Sequence, residues 1–323
     1  MLDHQILRHD LDATVSALET RGYTLDAAAY ETLEARRKTL QMKVEELQSK
    51  RNSSAKSIGQ AKARGEDIQP LLAAVSKLGD DLKTVESEFR QVRDEQTAWL
   101  LDMPNLAAAD VPVGADESEN VELRKWGQIP NFDFKPRDHV ELGELHQMMD
   151  SEAAAKLAGA RFTLLKASFA RLHRALAQFM LDVHTQEHGY TEVYVPYLVK
   201  GETMQGTGQL PKFSDDAFAT TDEPPRYLVP TAEVPVTNLA ADLIFSNDEL
   251  PIKYAAQTPC FRREAGSAGQ DTRGMIRQHQ FEKVELVHVV QADQSEDAHE
   301  ALISHAEKIL EKLNLAYRTI VLC

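Results

Sequence analysis

The chain has 323 residues, of which 42% are hydrophobic and only two are cysteines, and its formal net charge is −15. At roughly 100 to 200 residues per domain, this length predicts two domains, and the ordinary hydrophobic fraction excludes disorder throughout. Cys260 and Cys323 are too few for a disulfide framework or an all-cysteine zinc site. No window approaches the roughly 18 uncharged apolar residues that a membrane helix needs, and no targeting signal precedes the first helical pattern. We therefore expect a cytoplasmic protein without a membrane span.

The first hundred residues are predicted to be helical throughout, because apolar residues recur at helical spacing and strand-like alternation is absent. A first short amphipathic helix ends at Gly22 and carries four apolar residues on one face: Leu7, Leu11, Val15 and Leu18. Two longer runs follow, from Tyr30 to Ala61 and from Leu71 to Trp99, with steps that alternate between three and four. Both runs have the heptad spacing of coiled coils.

The segment between these two runs contains the signals that end one helix and begin the next. Gly65 supplies the stop, and Pro70 supplies the restart after an acidic pair. The sequence therefore predicts a long antiparallel helical hairpin whose arms, of about 35 residues, each reach roughly 50 Å. A dimerising coiled coil is the alternative interpretation of the same pattern.

Charge is divided unequally between the two arms of the hairpin. Residues 31–65 contain nine Lys and Arg against four Asp and Glu, whereas residues 66–100 contain four against eight. Neutralising phosphates requires Lys and Arg. The first arm is therefore a basic segment in an acidic protein and a candidate contact to nucleic acid.

Helical periodicity ends at Met103, where a run of proline, small residues and acids begins. This composition predicts a linker over residues 104–118, between a helical arm at 1–103 and a second domain at 119–323. The second domain mixes one helix, at 168–187, with five β-rich runs at 191–199, 226–230, 253–262, 281–290 and 317–323. It lacks regular βαβ alternation and a GxGxxG turn, so we expect an α+β fold and disfavour a Rossmann sheet.

The densest polar stretch of the second domain lies at residues 258–285. Two predicted strands, Lys253 to Arg262 and Arg277 to Val290, bracket a long glycine-rich loop, which would bring arginines to one face. The planar guanidinium group suits phosphate oxygens and keeps its charge. A surface hairpin with solvated ion pairs is the alternative interpretation.

Three shorter features complete the candidates. Thr231 and Glu233 could offer a hydroxyl and a carboxylate to an amine or alcohol, although a helix N-cap at Thr231 also explains the pattern. The run at 206–213 lacks the glycine spacing and ending of a phosphate-binding P-loop, so we interpret it as a mobile lid or a turn. Cys260 is expected to be a small buried hydrophobic residue rather than a nucleophile.

These runs together resemble the bacterial seryl-tRNA synthetases, a family of class II aminoacyl-tRNA synthetases. The resemblance covers essentially the whole chain, and the pairing of VPTAE with FRREAGS is highly specific to the serine enzymes. The runs that carry it are GYTEVYVPYLV at 189–199, GTGQLPKF at 206–213, VPTAE at 229–233, FRREAGSAGQDTRG at 261–274 and RQHQFEKVE at 277–285.

The resemblance implies roles for individual residues of this sequence. Arg262 is implied to be the catalytic arginine that grips the α-phosphate of ATP. The implied ATP-binding residues are Arg262, Arg263, Glu264, Arg277 and Phe281, and the implied serine-binding residues are Thr231, Ala232, Glu233 and Glu285. Mg²⁺ would accompany ATP, but the sequence does not identify its ligands.

The family also implies a fold, partners and an activity. We expect a class II antiparallel sheet flanked by helices, a homodimer, and ATP-dependent activation of L-serine followed by transfer to tRNA(Ser). Family members continue well past the position of Cys323 and carry a third signature there, so we expect this catalytic domain to be truncated at its C-terminus. The alternative is a catalytically incomplete fragment that only binds tRNA or dimerises. Relatives that acylate carrier proteins lack the helical hairpin, which residues 27–102 predict here.

Overall fold

The computed structural model describes residues 2–265 and 273–323. Two compact units make up the chain, one formed by Met1–Asn120 with Leu322–Cys323 and the other by Val121–Val321. The predicted α+β class and the long N-terminal hairpin are confirmed. No helix within the described part of the chain is both long enough and apolar enough to cross a membrane.

The first unit is helical, and its helices are α1 His4–His9, α2 Leu11–Glu19, α3 Ala27–Ala63 and α4 Gln69–Asp102. The prediction of a single first helix was wrong, because the structure contains two helices there. Asp10 lies outside helical geometry, with φ −150°, and its side chain accepts a hydrogen bond from the backbone N–H of Ala13, at 3.0 Å. This cap begins α2 in a new direction.

Local signals set the ends of the long hairpin. The Asp26 side chain caps α3 by accepting a hydrogen bond from the backbone N–H of Ala29, at 2.9 Å. Gly65 has φ +74°, a conformation that glycine adopts at little cost, and Pro70 lies in the first turn of α4. The core between the arms consists of five buried aliphatic residues: Leu40, Val44, Leu82, Val85 and Val92.

A partly buried ion network fastens α1 to the base of the hairpin. The Glu34 carboxylate accepts hydrogen bonds from Arg8, Arg37 and Gln96, the last at 2.7 Å. Burial alone would raise the pKa of Glu34, but these hydrogen bonds outweigh it and lower the pKa to about 2. Arg37 therefore serves the fold of the arm, unlike the exposed cations nearer the tip.

The second unit contains six helices and seven strands within its described residues. Its helices are α5 His139–Leu145, α6 Ser151–Ala158, α7 Ala167–Gln186, α8 Gly201–Gly206, α9 Glu233–Thr237 and α10 Ser295–Lys312. Its strands are β1 Val121–Trp126, β2 Thr191–Glu192, β3 Leu198–Lys200, β4 Arg226–Leu228, β5 Ile252–Phe261, β6 Gln280–Val289 and β7 Tyr317–Val321.

The longest strands, β5 and β6, form an antiparallel pair along their whole length. Ile252 lies opposite Val289 at one end, and Phe261 lies opposite Gln280 at the other. The short strand β2 joins the other edge of β5 in parallel orientation, while β1 pairs with β7 and β3 with β4, both antiparallel. Side chains of a strand alternate between faces, so every second residue of β6 faces the same side.

Several predicted strand limits were wrong. The predicted strand at 191–199 is split into β2 and β3, and Pro196, which lacks a backbone N–H, lies between them. Strand β5 ends one residue before Arg262 and β6 begins three residues after Arg277, so both arginines belong to the connecting segment. Strands β4 and β7 end two residues earlier than predicted. Of the predicted glycine-rich loop between Arg262 and Arg277, residues 266–272 lie outside the described residues.

Candidate active site

A cavity of about 420 Å³ lies in the second unit beside the ends of β5 and β6. Five residues singled out in the sequence line it: Thr231, Glu233, Arg262, Glu264 and Arg277. The cavity therefore brings together two stretches that lie about thirty residues apart in the sequence. Its arginines and its carboxylates face the same space.

Two arginines supply the cationic side of the cavity. Arg262 follows the end of β5; its Nε donates a hydrogen bond to the carbonyl of Pro230, at 3.3 Å, and its guanidinium lies 5.1 Å from the centre of the Phe281 ring. Arg277 donates from Nη1 to Oε2 of Glu264, at 3.2 Å. Each guanidinium makes one of these hydrogen bonds and keeps further donors for a ligand.

The Thr231 hydroxyl is the centre of a second polar network at the cavity. It donates to Oε2 of Glu285 at 2.6 Å and accepts from Nζ of Lys283 at 2.7 Å. It also accepts from the backbone N–H of Glu233, at 3.2 Å, at the start of α9. The N-cap of α9 is Ala232, so the interpretation of Thr231 as the N-cap was wrong, although its hydroxyl accepts from the first backbone N–H of that helix.

The Glu233 carboxylate opens onto the cavity near a second carboxylate. Partial removal from water raises the pKa of Glu233, the negative charge of Glu285 raises it further, and the Lys283 ammonium opposes the shift. A carboxylate pair with one neighbouring cation favours the binding of a further positive group. This wall is suited to a ligand ammonium.

The other predicted residues lie around the cavity. Arg263 turns its guanidinium over the Phe218 ring, 5.2 Å from the ring centre, and Ala232 is fully buried beneath α9. The Phe281 ring packs against the Arg262 guanidinium. Cys260 is fully buried and its thiol pKa is raised by burial, which confirms the expectation of a small buried residue.

Lys283 and a segment after α8 were missed as parts of the site. Lys283 lines the cavity, as do Gln209 and Phe213 from the run at 206–213 that the sequence indicated as a turn or lid. A signal for Lys283 existed, because Phe281, Lys283 and Glu285 are every second residue of β6 and so share one face. Nothing local in the run at 206–213 indicates that it reaches the cavity.

Comparisons with known proteins define first a class and then a family. The model of the tRNA synthetase class II core domain (G, H, P, S and T) matches residues 218–323, which contain most of the cavity. The model of the seryl-tRNA synthetase N-terminal domain matches residues 1–107, which contain the hairpin. The fold and the cavity are thus those of a class II synthetase core joined to a helical arm.

Whole-chain relatives identify the family. The chain is similar to the serine–tRNA ligases of Methylococcus capsulatus and Nitrosococcus oceani, each 57% identical over the whole chain, covering 76% and 75% of those proteins. It is also similar to a crystal structure of seryl-tRNA synthetase from Pyrococcus horikoshii complexed with ATP, with a TM-score of 0.87 and 31% identity, over 99% of this chain and 76% of that one. The chain belongs to the seryl-tRNA synthetase family.

Proposed function

We propose that the protein activates L-serine with ATP and transfers the seryl group to tRNA(Ser). The observation that carries this proposal is the cavity, which is lined by two guanidinium groups, by the Thr231 hydroxyl and by the Glu233 carboxylate, with Glu285 hydrogen-bonded to Thr231. Anionic phosphates need the first set of groups, and the ammonium and hydroxyl of serine need the second. The names of the relatives and the ATP complex of the archaeal relative support the same activity.

The arginine side of the cavity is proposed to bind ATP. Arg262 grips the α-phosphate, because its guanidinium is already oriented by the Pro230 carbonyl and the Phe281 ring. Arg277 and Glu264 form an ion pair in the same space, from which Arg277 can turn toward a phosphate. Arg263 and the adenine-stacking surface of Phe281 complete the nucleotide site.

The carboxylate side is proposed to bind serine. Thr231, Glu233 and Glu285 provide oxygen atoms for the ammonium and the side-chain hydroxyl of the amino acid. Ala232 links Thr231 to Glu233 in the chain. A site built to bond a hydroxyl leaves its own polar groups unpaired when an analogue lacks that hydroxyl. Alanine should therefore be rejected strongly.

The chemistry proposed for this cavity requires no protein nucleophile. An oxygen of the serine carboxylate forms a bond to the α-phosphorus. At the same time the bond from the α-phosphorus to the oxygen that bridges to the β-phosphorus breaks, which yields seryl-adenylate and pyrophosphate. A ribose hydroxyl at the tRNA end then forms an ester with the carbonyl carbon, and AMP leaves. Arg262 stabilises the charge that builds up on the α-phosphate, and catalysis rests on this charge and on orientation.

Mg²⁺ is proposed as the companion of ATP. The described residues contain no cluster of three or more His, Cys, Asp or Glu side chains suited to a metal ion. However, Mg²⁺ beside phosphates needs only one or two protein carboxylates, and Asp216 and Glu264 both line the cavity. Bound there, the ion would neutralise phosphate charge.

The helical arm, residues 1–103, is proposed to bind tRNA(Ser), and residues 119–323 to form the catalytic domain after a linker at 104–118. Lys50, Arg51 and Lys56 are exposed on α3, between the buried residues Val44 and Ala61. Such side chains suit contacts to the RNA backbone and its shape instead of base edges. A cytoplasmic homodimer joined through the catalytic domain is part of the same proposal.

Serine-dependent exchange of pyrophosphate into ATP tests the proposed activity. We expect exchange with L-serine and much weaker exchange with L-alanine or L-threonine, with L-serine omitted as the blank. Transfer of labelled serine to tRNA tests the second step. Retained tRNA binding without any serine-dependent exchange would favour the alternative of a tRNA-binding or dimerising module.

A further inference from the structure

A cation already occupies the wall proposed to receive the serine ammonium. The Nζ atom of Lys283 lies 2.5 Å from Oε2 of Glu285 and 2.7 Å from the hydroxyl oxygen of Thr231. The same carboxylate oxygen accepts the Thr231 hydroxyl, at 2.6 Å. Lysine, carboxylate and hydroxyl therefore form a closed triangle of hydrogen bonds.

The hydrogen-bonding capacity of Thr231 is complete in this arrangement. A hydroxyl group has one donor and two acceptor positions. The donor is used for Glu285, and the acceptors are used for Lys283 and the backbone N–H of Glu233. A substrate ammonium can bond to Thr231 only after one of these two donors has withdrawn.

Lys283 is the donor that can withdraw. The backbone N–H of Glu233 is fixed by the first turn of α9. The Lys283 side chain, by contrast, has four rotatable carbons, lines the cavity and is 33% exposed. Its ammonium can leave the triangle without any movement of the backbone.

We propose that Lys283 is a specificity-determining residue whose ammonium holds the substrate-ammonium position in the empty site and withdraws when serine binds. This inference rests on the proposed function, since it takes Thr231 and Glu285 as the groups that receive serine. The exchange replaces one ammonium by another, so the carboxylates of Glu233 and Glu285 keep a positive neighbour in both states. A ligand without an ammonium cannot make this exchange and would leave Lys283 in place.

The first test measures serine affinity by calorimetry at pH 8 for the wild-type chain, Lys283→Met and a matched control. Removing the competing ammonium should lower the Kd for serine by about threefold or more, the range expected for a partly exposed ion pair. Lys253→Met, which removes a lysine from the neighbouring strand β5, should leave the Kd unchanged. An unchanged or higher Kd for Lys283→Met overturns the inference. Thermal unfolding establishes that each variant is folded.

A second test uses the wild-type chain alone and so does not depend on the folding of a variant. Lysine amines are acetylated briefly with and without saturating serine, and each site is quantified by mass spectrometry. Because free serine also consumes the reagent, the reactivity of Lys283 is expressed relative to that of Lys253, and withdrawal from the triangle should raise this ratio when serine is present. Equal or lower reactivity of Lys283 overturns the inference.

The two tests also separate this inference from the proposed function. If the wild-type chain binds no serine, the proposed function fails and the inference fails with it. If the wild-type chain binds serine and Lys283→Met weakens that binding, Lys283 is a fixed anchor and only the inference fails. As a further check, 3-hydroxypropionate, which is serine without its amino group, should leave the reactivity of Lys283 unchanged.

Discussion

The Thr231 hydroxyl donates a 2.6 Å hydrogen bond to Oε2 of Glu285, although 54 positions separate the two residues in the sequence. The bond joins the start of α9 to the middle of β6. Ala256 of β5 lies opposite Glu285 and is fully buried, so the two side chains are neighbours on one face of the sheet. The position of Glu285 is thus set by sheet register, and its free oxygen can address a ligand.

Replacing Glu285 should impair serine binding and spare ATP binding. Glu285→Ala removes a charged hydrogen-bond acceptor from the proposed ammonium and hydroxyl site, which should raise the KM for serine by about tenfold or more. Steady-state pyrophosphate exchange at varied serine and at varied ATP measures both constants. Glu282→Ala, on the opposite face of β6, is the matched control and should behave like wild type. A comparable rise in the KM for serine and the KM for ATP in Glu285→Ala would contradict the assignment of the two substrates to separate parts of the cavity.

Replacing Arg262 should act on the chemical step. Arg262→Ala removes the proposed charge-stabilising donor at the α-phosphate, and we expect a loss of about 10²-fold or more in serine-dependent exchange. The loss should appear mainly in kcat, because stabilisation of developing charge belongs to the transition state. Arg318→Ala, an exposed arginine on β7, is the control. Activity within a few-fold of wild type would show that another group holds the α-phosphate.

The helical arm was predictable because its signals are local. Heptad spacing, the Gly65 stop and the Pro70 restart all lie within a few residues of the features that they determine. The same local reasoning failed at Asp10, where one capping side chain divides a continuous apolar pattern into two helices. The spacing of apolar residues therefore predicts which face of a helix is buried more reliably than it predicts whether the helix is continuous.

The cavity was only partly predictable because its contacts are long-range. Arginine and glutamate positions were indicated by the run at 258–285, but Lys283 contacts Thr231 only through the folding of β6 against the segment that leads into α9. The run at 206–213 reaches the cavity for a similar reason. Such contacts depend on tertiary packing, and the sequence indicates only which residues share a strand face, as Lys283 and Glu285 do.

Charge reversal on the first arm should weaken tRNA binding. The triple variant Lys50→Glu, Arg51→Glu and Lys56→Glu changes three exposed side chains of α3. Filter binding across a salt series should show lower affinity and a shallower slope of log K against log salt, by about 0.7 to 0.9 for each phosphate that the arm no longer neutralises. Binding of ATP and serine should be unaltered.

A control with the same change of charge on the other arm separates the effect of the position of the charges from the effect of net charge. Lys77→Glu, Lys83→Glu and Arg90→Glu place three reversals on α4, the acidic arm. This control should weaken tRNA binding less than the first-arm variant does. It should also reduce the slope of log K against log salt by a smaller amount. Unchanged tRNA affinity in the first-arm variant would refute the assignment of the arm to tRNA.

Deleting residues 1–103 should leave a dimer. The family resemblance assigns the two-fold interface to the region of α7 and the run at 189–199, and this region has exposed apolar side chains: Leu172 is 55% exposed and Tyr194 is 87% exposed. Light scattering should therefore give twice the mass of the shortened chain. A monomer would instead place the interface in the helical hairpin.

Acidification should destabilise the second unit through a cluster of histidines contributed by α7, β6 and α10. Tyr190 donates to or accepts from His288 at 2.6 Å and His305 at 2.8 Å, and His184 contacts His188 at 3.0 Å. Burial, followed by the nearby charge of His188, lowers the pKa of both His184 and His305 to about 4. The folded state therefore keeps these rings neutral over a range in which the unfolded chain binds protons.

The sign of the effect follows from proton linkage. Between the ordinary histidine value of about 6.5 and the lowered value near 4, the unfolded chain binds more protons, so stability falls as the pH falls, by up to about 3 kcal/mol for one such group. Urea midpoints from pH 7.5 to 4 measure this, with Trp126 fluorescence in a Trp99→Phe background reporting the second unit alone. His184→Gln keeps a donor and an acceptor but removes one titration, and should flatten the decline. His299→Gln, an exposed change on α10, should decline as the parent does, and equal declines for all three proteins would exclude His184 as the titrating group.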